Sequence, residues 1–130
     1  MPNSIYNVAF DCADTLALAA FWSQVMEHPV DADSDAEEAS IEPENAVNLF
    51  FQAVPEPKAV KNRVHVCLRP SRRREEEVQR LLGIGATVVA DHRTPDGLGW
   101  VVLADPEGNE FCVLRGIADR EAAAAASSAE

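Results

Sequence analysis

The chain has 130 residues, 47% of them hydrophobic, and its 22 Asp plus Glu against 11 Lys plus Arg leave a formal net charge of −11. That length supports one self-sufficient core without a disulfide framework, and a pI near 4.6 argues against duplex binding, which needs a clustered positive field. No apolar run approaches the about 18 residues of a membrane span, and MPNSIYNVAF lacks the basic segment of an export signal. Cys12, Cys67 and Cys112 are scattered and odd in number, as reduced thiols are. The expected location is the cytoplasm, with neither nucleic acid nor membrane as a partner.

Along the chain, Ile5 to Cys12 alternates as a strand, with Val8 and Phe10 on one face and Asn7, Ala9 and Asp11 on the other. Asp14 is placed as an N-cap for a helix whose Leu18, Phe21, Trp22, Val25 and Met26 recur at helical spacing until Pro29. Trp22 reads as core. From Val30 to Pro43 the chain is dense in acids, which predicts a solvent-facing hairpin with a short strand over 39–42. Ala46 to Val54 is a strand, with Val47, Leu49, Phe51 and Ala53 facing one way and Asn48, Phe50, Gln52 and Val54 the other, ended by Pro55 and Pro57.

The second half repeats this order. Arg63 to Leu68 is predicted as a strand with Val64, Val66 and Leu68 opposite His65 and Cys67, and Ser71 as the cap of a helix striped by Val78, Leu81 and Leu82 and stopped by Gly83 and Gly85. Three strands follow, over 86–90, 99–104 and 110–114, separated by turns at Pro95-Asp96-Gly97 and at Asp105 to Asn109. The string is β, α and three strands, twice: an α+β domain over residues 1–115, with repeats at about 5–54 and about 62–115. The alanine-rich tail, 116–130, has no apolar stripe and is expected to be disordered.

Charge is divided unevenly. Residues 1–57 hold 11 acids and no Lys or Arg, whereas 58–130 hold 11 of each sign. The acid-free run from Lys58 through Arg74 reads either as a solvated face or as an anion or partner site. Arg72, Arg73 and Arg74 stand where a helix dipole disfavours cations, with Glu75, Glu76 and Glu77 following to pair with them.

Two such units are expected to set curved sheets side by side around a central pocket, with helices outside. The strand faces turned away from the helices would line it: Asn7, Ala9, Asn48, Phe50, Gln52, His65, Cys67, Glu110 and Cys112. Trp100, beside a hairpin, is placed to stack on a ligand or to pack. His28 and His92 read as surface.

Phe21-Trp22, Val54 to Lys58, Asn62-Arg63-Val64-His65, Leu81-Leu82 with Gly85-Ala86, and Asp105-Pro106-Glu107-Gly108-Asn109-Glu110-Phe111-Cys112 together resemble the vicinal oxygen chelate superfamily, within it the glyoxalase-like domains that include bleomycin-resistance-type proteins. The resemblance spans residues 5–115 and implies paired βαβββ units, a small-molecule ligand and a homodimer. It also implies a divalent metal (zinc, iron, nickel or manganese) on a His, Gln and Glu type of site. The corresponding positions here are Asn7, Gln52, His65 and Cys112, of which only His65 is a good ligand as it stands, and Cys112 stands where an acid is expected. Glu110 is a candidate replacement for that carboxylate. His65, Cys67 and Cys112 share a face and form an alternative zinc ligand set.

Besides a metal-free enzyme in which His65, activated by Asn7 or Gln52, acts as a general base, two functions remain open from these residues. One is a small-molecule binding protein with an eroded metal site and no cofactor, its ligand contacts drawn from Asn7, Phe50, Gln52, Cys67, Trp100 and Cys112. The other is a metal-dependent lyase, isomerase or dioxygenase in which His65, with Glu110, completes the catalytic site.

Overall fold

The computed structural model describes residues 1–128, which divide into two compact units, Met1–Ala59 and a second from Val60 onward. The architecture is mixed α+β. Among the described residues no helix is long and apolar enough to cross a membrane.

The first unit runs β1 (Asn7–Cys12), α1 (Thr15–Met26), β2 (Glu38–Ile41) and β3 (Asn48–Ala53). Its sheet has the order β1-β3-β2, with β1 parallel and β2 antiparallel to β3. The Asp14 carboxylate accepts from the Ala17 N–H at 3.0 Å and caps α1 as expected. The predicted stripe is the buried one: Leu18, Phe21, Trp22 and Val25 are all shielded, with Ala39, Ile41, Leu49 and Phe51 of the sheet. Phe10 lies 5.4 Å from Trp22 and 5.3 Å from Phe51 between ring centroids, so β1, α1 and β3 are joined by aromatic contacts.

This unit has one strand fewer than the β-α-β-β-β order anticipated. Residues 28–37 form turns instead, because their acids satisfy the local backbone: Asp31 accepts from Asp33 N–H, and Asp35 from both Glu37 and Glu38 N–H.

The second unit completes that order: β4 (Val66–Leu68), α2 (Arg74–Gly83), β5 (Thr87–Asp91), β6 (Val101–Ala104), β7 (Glu110–Val113) and a closing helix α3 (Ile117–Ser128). The sheet order is β4-β7-β6-β5, with β4 parallel to β7 and the other pairs antiparallel. Val78, Leu81, Val101, Leu103, Phe111 and Val113 form the core.

Four local expectations are corrected. β4 begins at Val66, not Arg63; residues 63 and 64 bend, and Val64 is 81% exposed rather than packed. Ser71 does not cap α2. The cap comes from the tail, where Asp119 accepts from the Arg74 N–H and the Gly116 N–H, each at 2.8 Å. Those bonds, with Ile117 and Ala118 N–H donating to the Pro70 and Ser71 carbonyls, start a helix in a tail expected to be disordered, although α3 buries no residue. The rest of that tail, 129–130, lies outside the described residues. The arginine run is also not uniformly solvated: Arg72 pairs with Glu77 at 2.6 Å, and Arg74 is 4% exposed and donates to the Gly99 and Gly97 carbonyls at 2.8 and 3.2 Å.

The turn at Asp105 to Asn109 is a buried polar knot. One Asp105 oxygen accepts from the N–H groups of Glu107 and Asn109 at 2.9 Å, the other from Asn109 Nδ2 at 2.9 Å, and Asn109 Oδ1 accepts from Asn62 Nδ2 at 2.7 Å. It fastens the segment before β4 to the start of β7. Asp105→Ala leaves these donors unpaired in a buried place and is expected to cost about 2 kcal/mol, read by chemical denaturation; a loss below about 0.5 kcal/mol contradicts the knot.

Candidate functional site

Strand alternation in the second unit sends one parity to the core and the other to the opposite face. Phe111 and Val113 of β7 and Val101 and Leu103 of β6 are fully buried. The opposite set, Trp100, Val102, Glu110, Cys112 and Leu114, lines a cavity of about 290 Å³ together with Lys61, His65 and Cys67. Register makes the set compact: Cys67 of β4 stands directly opposite Cys112 of β7, and Cys112 opposite Val102 of β6.

The polar groups converge at the Cys112 side. The His65 Nδ1 lies 3.8 Å from the Cys67 Sγ and 3.8 Å from the Cys112 Sγ, and the three atoms all fall within 4.8 Å of one another. Cys112 is buried, whereas His65 and Cys67 are exposed to the cavity side. Burial first, and then the neighbouring Cys67 thiol, pushes the Cys112 thiol above its ordinary range, so without a cation it stays protonated at neutral pH. Glu110, two residues before it, is held by Lys61, whose Nζ lies 2.7 Å from the carboxylate. Apolar walls come from Val102, Leu114 and Trp100, which is 43% exposed and tilts against the His92 ring at 4.7 Å between centroids.

Of the residues singled out from sequence, the structure therefore brings His65, Cys67, Trp100, Glu110 and Cys112 together. Asn7, Phe50 and Gln52 belong to the first unit. There Asn7 pairs with Asn48 and Gln52 with Asp11 across β1 and β3, and Phe50 borders a shallow acidic cavity of about 150 Å³ with Asp31, Asp33 and Glu38. His92 is exposed, as read from the sequence, and its ring lies against that of Trp100. Val102 and Leu114 were missed, and Lys61 was read only as one cation of the acid-free basic run. The first two share parity with Trp100 and Cys112, so strand alternation held the signal; Lys61 sits in an irregular segment where no periodicity marks it.

The metal set implied by the resemblance can be tested on its donors. Among the described residues that line the cavity there are one imidazole, two sulfurs and one carboxylate, Glu110, which is paired with Lys61. Asn7 and Gln52 would add only neutral amide oxygens. This is not an oxygen-rich set for a hard divalent ion, and no chemical step is derived through one.

The family model for the glyoxalase-like domain matches residues 7–114. Among solved structures, a glyoxalase/bleomycin resistance protein/dioxygenase family enzyme from Burkholderia phytofirmans superposes with a TM-score of 0.68 at 19% identity, over 88% of this chain and 99% of that one. A lactoylglutathione lyase from Agrobacterium tumefaciens gives 0.62 at 19% identity, over 87% and 93%. A variant of the fosfomycin resistance protein FosX from Listeria monocytogenes, complexed with Mn(II) and a dihydroxypropylphosphonic acid, gives 0.69 at 13% identity, over 89% and 92%. At these identities the likeness is one of fold. No curated protein matches the sequence.

Proposed function

The chain belongs to the glyoxalase-like domain family of the vicinal oxygen chelate superfamily, and from that premise we propose that it is a small-molecule binding protein whose site is the cavity on the second unit's sheet. The carrying observation is the lining itself: apolar walls from Trp100, Val102 and Leu114 with a few polar groups gathered at one end. That is the make-up of a ligand pocket, in which apolar area supplies affinity and placed polar groups fix orientation. Trp100 offers a stacking surface, and the His65 imidazole and the two thiols form the polar end.

Within this reading Glu110 and Lys61 act as a gate of opposite charges. A carboxylate or phosphonate on a ligand would compete for Lys61, and a cationic group for Glu110. The neighbours that are enzymes support a second reading, a metal-dependent lyase, isomerase or dioxygenase, and the His65, Cys67 and Cys112 cluster is the observation that favours it. The resemblance further implies a homodimer, which sedimentation tests.

The experiment is equilibrium binding of the fluorescent apolar anion anilinonaphthalene sulfonate. About one equivalent is expected to bind to the native protein, and Val102→Trp, which fills the cavity from the middle of β6, is expected to abolish it. Trp100→Ala should weaken it about tenfold, equivalent to about 1.4 kcal/mol. Binding unchanged in Val102→Trp, with the thermal midpoint preserved, would overturn the reading.

A further inference from the structure

We propose that His65, Cys67 and Cys112 form a three-ligand site for a thiophilic metal ion such as zinc, with a fourth position left to water or to a ligand group in the cavity. The site shares His65 and Cys112 with the positions that the family resemblance implies, and differs in taking Cys67 as its third ligand and nothing from Asn7 or Gln52. It concerns these three side chains alone and holds whether or not the cavity takes an organic molecule.

The spacing of the donors is the first argument. An ion bound tetrahedrally at about 2.3 Å by thiolates and about 2.0 Å by imidazole separates its ligand atoms by roughly 3.6 to 3.8 Å. Both sulfurs stand 3.8 Å from the His65 Nδ1, and the whole triangle fits within 4.8 Å. Shifts of less than about 1 Å, within the reach of side-chain rotation, would close it on an ion. Simple hydrogen bonding accounts less well for the arrangement. Both contacts lie at the long end for sulfur hydrogen bonds, and one imidazole nitrogen has a single lone pair or a single N–H to share between the two sulfurs. Two thiols equidistant from the same nitrogen face a common point.

The backbone fixes this triangle. Cys67 and Cys112 are directly opposite each other in the parallel β4–β7 ladder and so project on one face. His65 stands two residues before Cys67, on the segment that Asn62 ties through Asn109 to the start of β7. Donor chemistry then selects the ion. One nitrogen and two sulfurs favour zinc or another soft ion over manganese or magnesium, which prefer oxygen. Three protein ligands leave the coordination open, as in reactive zinc sites rather than closed structural ones. Binding is a proton-balanced exchange: each thiol gives one proton to solvent as its thiolate takes the cation, and no electron moves.

The test uses full-length protein purified without affinity tag or chelator, in reductant. Metal content by mass spectrometry is expected to show about one equivalent of zinc, and cobalt(II) added to the stripped protein should give a thiolate-to-metal charge-transfer band that saturates at one equivalent. Cys67→Ser and Cys112→Ser should each weaken binding more than roughly 100-fold, beyond the loss typical of outer-sphere partners, while Cys12→Ala leaves it unchanged. Should a serine variant fail to fold, His65→Ala serves, with a shifted band and weakened affinity expected. Less than about a tenth of an equivalent of any metal together with no cobalt band, or a band that survives loss of both Cys67 and Cys112, overturns the proposal. Val102→Trp and Trp100→Ala separate the two readings: probe binding lost with metal retained supports both, and metal absent with probe binding intact sinks this one alone.

Discussion

Gly99→Ala is expected to lower folding stability by about 3 kcal/mol, the largest loss among the glycines of the hairpin between β5 and β6. Gly99 has φ +84°, a region that L side chains rarely adopt, and a Cβ built there falls 1.9 Å from the His92 carbonyl oxygen and 2.8 Å from its carbon. Both atoms are backbone, so neither can swing away. The two sides of the hairpin must part, and the bond from His92 N–H to the Trp100 carbonyl, 2.8 Å long, is the first to lengthen. Gly97 is the internal control: its φ is +87°, yet nothing lies within 4 Å of its built Cβ. Gly97→Ala should therefore cost only about 1 kcal/mol, the backbone penalty alone. Denaturant midpoints of the two variants check this, and equal losses would contradict the steric account. Because Trp100 follows Gly99 directly, the alanine variant should also weaken anilinonaphthalene sulfonate binding.

Arg74→Met is expected to cost a similar amount, about 3 kcal/mol, from two charge-assisted hydrogen bonds made by a buried guanidinium. Arg74 opens α2, is 4% exposed, and reaches the Gly99 and Gly97 carbonyls at 2.8 and 3.2 Å. It thus ties the helix start to the hairpin that carries Trp100 to the cavity. The other end of that hairpin is held by Arg93, which lies 2.7 Å from Asp91 and 2.6 Å from Glu75, and whose hydrogen bonds lower the Asp91 carboxyl to about 2. With that clamp intact, loss of Arg74 should loosen the tip without unfolding the strands. Probe affinity is then expected to fall about tenfold while the sheet keeps its circular dichroism. Since Arg74 and Gly99 share one contact, the double variant should lose less than the sum of the single losses. Strict additivity would show that the two act separately.

Much of this architecture was legible in the residues because it depends on local periodicity. Leu18, Phe21, Trp22 and Val25 mark the buried side of α1 at helical spacing. Two-residue alternation placed Cys67, Glu110 and Cys112 on one face and Val66, Phe111 and Val113 on the other, and the cavity follows that division. What escaped depends on contacts distant in sequence. Ser71 has the chemistry of a cap, but the α2 N-terminus is capped by Asp119, 45 residues after Arg74. The same bond begins a helix in a tail whose composition gives no reason for one. Val64 continues the strand pattern in sequence, yet the chain bends at residues 63 and 64, just after Asn62 bonds to Asn109 of the Asp105 knot. Arg74 reads as one cation in a run of three, and only the folded hairpin shows that carbonyls await it.

The candidate site divides along the same line. Strand parity carried His65, Cys67 and Cys112 to one face, whereas their 3.8 Å spacings come from the register of β4 on β7 and from the short segment before β4. Lys61 stands in the acid-free basic run, but nothing in the sequence pairs it with Glu110.

The most direct test of the binding site is a nitrogen-15 amide titration with anilinonaphthalene sulfonate, followed residue by residue. Shifts are expected to gather at residues 65–68, 100–102 and 110–114, on the face that bears Trp100, Val102 and Cys112. Shifts gathered instead in residues 7–53, or spread without focus over both units, would contradict a site on the second unit's sheet.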